Sequence, residues 1–405
     1  MAQTSRKYGE WPLKRLMTAV VGSGPKSADD MSREQAREAF QRILGGEPDH
    51  TTLGAFWLAN RWKRNTPEEL AAYVDVMAEE STVVAEPDAD PVDCGANYDG
   101  KHRSALLGVA AGIVAAGAGT PIVTHSGDRV PTQKETAYKH VLDELGVRTE
   151  LNVEESAEMV DETGFGFYYQ PEFNPEIDDL FDRRDMMGVR TFVNTIETLA
   201  NPANADVHLG SFYHLSFAKK VVDTFRGTEQ VSPGKVIMFQ GMEGYDDIRP
   251  GYTKVAEWQA DGTDEGEFED YEIETPEYGM DFEEEDLYVD DVRTDSSTIT
   301  EEVVAGERED HFADAVALNA AFRIYASGDA ETLDDRVYEL AGAMAEKSPV
   351  ALELAKQAVK ASSRMDLDSG LEFEAELFVQ LFATADKNEG IDAFFDGREP
   401  EFTGE

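Results

Sequence analysis

Between Met31 and Glu80 apolar residues recur at helical spacing. Ala36, Ala39, Phe40, Ile43 and Leu44 fall on one face behind Ser32, a residue type suited to an N-cap. Gly45 and Gly46 end this helix, and a second runs through Leu53, Phe56, Trp57 and Ala59. Thr66-Pro67-Glu68-Glu69 opens a third, with threonine at the cap and proline at the first helical position. The pattern predicts a small all-helical N-terminal unit. Past a hinge over 87–93, with Pro87 and Pro91, short apolar runs alternate with helical ones. Strands are expected at Val92–Cys94, Thr120–Thr124, Val147–Leu151, Phe165–Tyr169 and Val236–Phe239. Helices are expected at Ala105–Gly119, Lys139–Leu145 and Val153–Thr163, and Arg183–Thr191 reads as a passage from helix to strand. Such alternation predicts an α/β fold with a mainly parallel, helix-covered sheet. Residues 260–293 are intensely acidic with scattered aromatics, the pattern of solvated edge strands or a mobile loop. An Ala-rich amphipathic helix covers Phe312–Ala326, and further helices run from Thr332 to the end. Three regions follow: a helical domain over 1–86, joined by part of the later helical unit, an α/β domain over 87–330 and a helical tail over 331–405.

Charge changes this picture most. The chain of 405 residues carries 83 acidic and 36 basic residues, a formal net charge of −47, spread through nearly every segment. A surface of this kind resembles that of proteins from extreme halophiles, where concentrated salt screens self-repulsion. It opposes nucleic-acid binding, which needs clustered Lys and Arg. The one cysteine, Cys94, excludes an intrachain disulfide framework and fits a reducing cytoplasm. The start of the chain lacks the apolar core of a signal peptide, and no run is apolar enough to span a membrane, so a cytoplasmic location is expected.

Two loops carry the candidate chemistry. One leaves the first strand as Gly95-Ala96-Asn97-Tyr98-Asp99-Gly100-Lys101-His102-Arg103-Ser104, and the other leaves the second as His125-Ser126-Gly127-Asp128-Arg129. A strand that breaks at glycine into a helix N-terminus offers backbone N–H groups to a phosphate, and adjacent strand ends converge on one crevice. Glycine-punctuated turns are also common in α/β folds that bind nothing. Asp246-Asp247, after a strand end, is a candidate magnesium pair, although acidic pairs arise by chance in so acidic a chain. Arg184 and Arg190 could line an anionic pocket, or could form surface ion pairs.

Residues 14–330 resemble the anthranilate phosphoribosyltransferase family, of the nucleoside-phosphorylase type. The resemblance rests on Ser32-Arg33-Glu34, Ile43-Leu44-Gly45-Gly46 and Thr66-Pro67-Glu68-Glu69, on Gly95 to Gly100 in place of Gly-Thr-Gly-Gly-Asp-Gly, and on His125 to Arg129 in place of Lys-His-Gly-Asn-Arg. Leu142 to Val147, Glu162 to Phe167, Gly188 to Asn194 and Asn201-Pro202-Ala203 follow in family order. The resemblance implies transfer of a phosphoribosyl group from phosphoribosyl pyrophosphate to an aromatic amine, with Mg2+ and a homo-oligomer, commonly a dimer through the N-terminal helices. It assigns Gly95, Asp99, Gly100, His125, Gly127, Asp128 and Arg129 to the donor. Arg184, Asn201 and Pro202 fall to the acceptor, and Asp246 and Asp247 to the metal.

This chain departs from the family where the donor binds. Ala96-Asn97-Tyr98 puts side chains where the family has Thr-Gly-Gly, and Thr124 stands in place of the lysine, with Lys101, His102 and Arg103 as candidates to replace its charge in part. An alternative is therefore a catalytically inactive homologue that binds a nucleotide or nucleic acid. Residues 332–405 resemble the C-terminal helices of the crotonase (enoyl-CoA hydratase) family, on Ala345 to Leu352, Gly370 to Glu372, Glu374 to Phe378, Leu381 to Asp386 and Glu389 to Arg398. That family's catalytic core is absent from the chain, so its chemistry is not implied, and CoA binding through the tail would lack the residues that complete such a site.

Overall fold

The computed structural model describes residues 8–24, 26–95, 100–129, 131, 135–245, 247–263 and 266–328. The expected tail domain and the expected site residues Asp99 and Asp246 lie outside the described residues.

Four helices open the chain: α1 (Leu13–Val21), α2 (Arg33–Leu44), α3 (His50–Lys63) and α4 (Pro67–Glu80). Ser32 and Gln35 close a reciprocal capping box at α2, and Thr66 and Glu69 close another at α4, as the spacing predicts. Glu69 does more than cap. Buried completely, it also accepts from the Met31 N–H at 2.8 Å and from Lys63 Nζ at 2.6 Å, tying three segments of the bundle to one carboxylate.

The remaining elements are β1 (Val92–Cys94), α5 (Gly108–Gly117), β2 (Ile122–Ser126), α6 (Tyr138–Glu144), α7 (Val153–Thr163), β3 (Phe165–Tyr169), α8 (Gln170–Phe173), α9 (Pro175–Asp178), α10 (Phe181–Met187), α11 (Val193–Ile196), β4 (Val207–Phe212), α12 (Leu215–Gly227), β5 (Lys235–Gln240), β6 (Tyr252–Gln259), β7 (Glu267–Glu274), α13 (Val292–Val304) and α14 (His311–Ser327). The seven strands form one sheet in the order β3-β2-β1-β4-β5-β6-β7. The first five are parallel, and β6 and β7 return antiparallel. The acidic segment is thus partly an edge hairpin: on β7 only Ile273 is buried and Tyr271 half-buried. Charge on an exposed edge opposes pairing with another chain.

One core joins the N-terminal helices to one face of the sheet. The Tyr73 and Phe192 rings stack at 4.1 Å, so the segment before α11 belongs to the helical unit. The second core lies on the other face, under α5, α6, α13 and α14. In α5 a Cβ on Gly112 would stand 2.9 Å from the Phe165 ring, so the small residues of this helix do permit close approach to the sheet.

Some boundaries differ from the pattern reading. The helix expected from Ala105 starts at Gly108, because the Ala105, Leu106 and Leu107 N–H groups donate to Leu287 O, Ser296 Oγ and Asp247 Oδ2. The second strand runs to Ser126, two residues beyond the expected end. Val147–Leu151 is no strand: β2 already has β1 and β3 on its two sides, and Val147 instead closes the end of α6 through Leu142 O. No strand follows α10 either; Gly188 ends it at φ +69° and the chain enters α11 and a 3-10 turn over Glu197–Leu199.

Candidate active site

The chain leaves β1 to build β2 and β3 on one side and later returns to place β4 and β5 on the other. The crevice between the ends of β1 and β4 is the switch point where doubly wound sheets bind ligands. Gly95 stands there. A Cβ at this position would lie 2.2 Å from Thr198 O and 2.4 Å from His208 Cε1, so only glycine lets the turn after β4's neighbour and the 3-10 turn approach one another. Gly100 has φ +77° and carries the chain from the loop into a bridge between Lys101 and Thr136.

His125 ends in a dry cluster at the same edge. Asp93 lies opposite His208 in register, and its carboxylate is 2.9 Å from His208 Nδ1 and 3.1 Å from His125 Nε2. All three side chains are buried. Burial opposes ionisation of Asp93, yet the two histidines outweigh it and hold the carboxyl down to about 2. Asp93 escaped the sequence reading as a site residue, although a carboxylate inside an apolar strand lead is a signal, since a buried charge needs partners.

Beyond β2, Gly127 packs on Gln170: a Cβ there would be 3.0 Å from Gln170 Oε1. Gln170 Nε2 donates to Glu197 Oε2 at 3.1 Å. Glu197 in turn accepts from Arg184 Nη1 at 2.8 Å and Nη2 at 2.6 Å, a bidentate pair that is fully enclosed. The structure thus links Gly127 through Gln170 and Glu197 to Arg184, sets Gly95 against Thr198, the residue after Glu197, and places His125 with Asp93. Arg184 makes a buried pair and not a surface one. Asp128 offers its carbonyl to His140 Nε2 at 2.9 Å, and Arg129 pairs with the Asp178 carboxylate and lies 4.4 Å over the Phe181 ring. Asn201, at φ +46°, closes its own turn by exchanging hydrogen bonds with Ala205 at 2.8 Å, and Pro202 O accepts from the Ala85 N–H.

The acidic loop after β5 faces the loop after β1. Lys101 and Asp247 are both fully buried, with Nζ donating to Oδ2 at 2.6 Å and to Ala105 O at 2.7 Å. Glu243 accepts from the Ser104 N–H at 2.9 Å and Oγ at 2.7 Å, and His102 Nδ1 lies 2.9 Å away. Burial raises the Glu243 carboxyl, but Ser104, then Lys101 and His102, bring it below its ordinary value. Of the three basic residues that could replace the lysine, Lys101 and His102 are therefore turned to acids, and Arg103 lies 5.2 Å over Tyr288. Among the described residues no group of three or more His, Cys, Asp or Glu is arranged to hold a metal. Asp247 Oδ1 is nevertheless buried with no hydrogen-bond partner among them, an oxygen lone pair of the kind magnesium accepts, while its Oδ2 is taken by Lys101. Likewise no described helix is long and apolar enough to cross a membrane.

A glycine-bearing crevice at the switch point of a mainly parallel sheet is where α/β proteins bind ligands, and the comparisons with known proteins say which family shares this arrangement. Residues 100–347 match the Glycosyl transferase family, a/b domain, and residues 21–81 match the helical bundle domain of the same family. The anthranilate phosphoribosyltransferase of Methanocorpusculum labreanum is 31% identical over 319 residues, 77% of this chain and 88% of that protein. The crystal structure of anthranilate phosphoribosyltransferase from Thermus thermophilus superposes with TM-score 0.68 at 24% identity, over 86% of this chain and 99% of that one. The Saccharomyces cerevisiae enzyme in complex with PRPP and Mg gives 0.69 at 18% identity, over 87% and 98%. The chain belongs to the glycosyl transferase family that includes the anthranilate phosphoribosyltransferases. Residues 322–405 match a further family, Enoyl-CoA hydratase/isomerase.

Proposed function

We propose that the chain transfers a phosphoribosyl group from phosphoribosyl pyrophosphate to an aromatic amine, the reaction type for which its relatives are named. The observation that supports this reading is the placement of Gly95 at the end of β1 beside the switch point, and of His125 and Gly127 at the end of β2, from which Gln170 leads to the Arg184–Glu197 pair. Gly95, Asp99, Gly100, His125, Gly127, Asp128 and Arg129 serve the donor; Arg184, Asn201 and Pro202 serve the acceptor. Catalysis on such a site is positional and electrostatic: pyrophosphate departs, the ribose gains oxocarbenium character, and the amine attacks. Backbone N–H groups of the glycine loops and Arg129 meet the departing negative charge. Magnesium, when bound, neutralises part of the same charge, and Asp246 with the free oxygen of Asp247 are the residues that would hold it. A homo-oligomer, which only the resemblance implies, and function in concentrated salt, which the acidic composition supports, belong to the same reading.

The test is calorimetric titration with phosphoribosyl pyrophosphate and magnesium in molar potassium chloride, on the wild type and on Arg129→Ala and Asp246→Ala. Saturable binding, weakened at least about tenfold in each variant, is the expected result. Arg129 is a fair probe because its side chain is 41% exposed and lies outside the buried clusters around Asp93 and Asp247. Folded protein that fails to bind the donor would end this reading and leave the Ala96-Asn97-Tyr98 departure as its cause.

A further inference from the structure

We propose that the cavity between α13 and the start of α14 binds a small organic cation, an ammonium carried on a short apolar body. The cavity encloses about 340 Å³, within the range of small-molecule sites, about 300–1,000 Å³. Asp295, Thr298 and Ile299 fall at helical spacing on one face of α13 and form one wall. Tyr288 to Asp290, just before that helix, form the second, and Arg308 and Phe312 close the cavity around the start of α14. Ile299 and Phe312 are buried and Val289 is half-buried, so the inner lining is apolar; Asp290 and Thr298 are exposed at the rim. The site is independent of the phosphoribosyl-transfer reading. Val289 N–H donates to Arg103 O at 2.9 Å, which joins the cavity wall to the loop after β1 without using any of the proposed donor residues. Arg103 itself lies 5.2 Å over the Tyr288 ring and is not part of the lining.

The polar groups of the lining describe the ligand that fits, because its donors are engaged and its acceptors are not. Arg308 Nε lies 3.0 Å from both oxygens of Asp310, Nη1 pairs with Glu302, and the guanidinium rests 4.7 Å over the Phe312 ring. Tyr288 gives its hydroxyl hydrogen to Glu284 Oε1 at 3.4 Å, and Thr298 gives its own to Thr294 O at 3.0 Å, which leaves the Thr298 oxygen as an acceptor. Asp290 and Asp295 are in no ion pair among the described residues, and Asp295 uses only Oδ2, on the Asp291 N–H at 2.9 Å. What remains open is a set of oxygen acceptors with two negative charges at the edge of an apolar hollow. An ammonium has three N–H donors and no acceptor, so it matches these groups, while its apolar body covers Val289, Ile299 and Phe312. An anion would meet two carboxylates and no unengaged donor. Solvated carboxylates are ordinary on this surface; these two differ in flanking a cavity.

Three probes that share one apolar body test the site: 2-phenylethylamine, 2-phenylethanol and 3-phenylpropanoate. Each is titrated calorimetrically into the full chain in molar potassium chloride, where the general attraction of a chain of net charge −47 for cations is screened. The amine is expected to bind saturably at one site, at least about tenfold more tightly than the alcohol, and the acid is expected not to bind. Asp290→Asn and Asp295→Asn are each expected to weaken the amine at least about threefold. Thr298→Phe, at the exposed rim, is expected to fill the cavity and abolish binding. Circular dichroism checks that the variants are folded. Amine that fails to saturate, binds no better than the alcohol, or binds the folded variants as it binds the wild type overturns the proposal. Should Thr298→Phe not fold, the two aspartate variants decide.

Discussion

Replacing Lys101 by methionine removes the cation that compensates Asp247 and leaves the volume nearly unchanged. Both side chains are completely buried, and Asp247 Oδ2 keeps only the Leu107 N–H at 3.2 Å once the ammonium at 2.6 Å is gone. A lone carboxylate in a dry site costs about 3–5 kcal/mol when its partner is deleted. The pair Lys254–Glu272, at 3.3 Å and nearly half exposed on both sides, is the internal comparison, and its loss costs about 1 kcal/mol or less. Molar salt sharpens the contrast, because it screens the exposed pair and does not reach the buried one. Urea unfolding in molar potassium chloride, followed by circular dichroism, measures the midpoint shift at constant slope. Lys101→Met is expected to lower the midpoint several times more than Lys254→Met. Lys101→Met with Asp247→Asn is expected to cost less than the sum of the single variants by at least about 1.5 kcal/mol, since neither charge is then stranded. Equal shifts for the two lysines, or strict additivity at 101 and 247, would refute the claim that the loops after β1 and β5 are held together by a buried charge pair.

Asp93→Asn tests the cluster with His125 and His208. The folded carboxyl, at about 2, lies below its ordinary value of 3.8, so its stabilisation is complete above the ordinary value and is lost as pH falls through the folded one. The variant is expected to be less stable by on the order of 2 kcal/mol at neutral pH, with the gap to wild type narrowing as pH falls from 4 toward 2 in parallel urea melts. A gap independent of pH would contradict the assignment. Gly95→Ala forces a methyl to within 2.2 Å of Thr198 O, and overpacking of this kind costs about 1–3 kcal/mol, together with a displaced strand end and weaker donor binding in the calorimeter. A wild-type midpoint and affinity in that variant would show that the turn has room the geometry denies.

Local pattern was enough where an element depends on its own residues. The capping boxes at Ser32 and Thr66, the small-residue helix α5, the aromatic strand β3 and the parallel core of the sheet all follow from periodicity and from caps within a few positions along the chain. The ends of β1 at Gly95 and β2 at Gly127 were legible for the same reason, because glycine after a strand has a local meaning. Pairing was not legible. Val147–Leu151 has the composition of a strand but no free edge to join, and Ala105–Leu107 has the composition of a helix but N–H groups held by Leu287, Ser296 and Asp247. The partners that define the site are farther apart still. Asp93 meets His208, Lys101 meets Asp247 and Gly95 meets Thr198, each across 100 residues or more, while Arg184 meets Glu197 only because α10 and the following 3-10 turn fold onto the strand ends. In a chain with 83 acidic residues the sequence determined the abundance of carboxylates, and with it a strongly negative surface. Which few of them lose their water and acquire a cation instead was decided by tertiary structure alone, because the energy of a charge depends on what surrounds it in space and not on its neighbours along the chain.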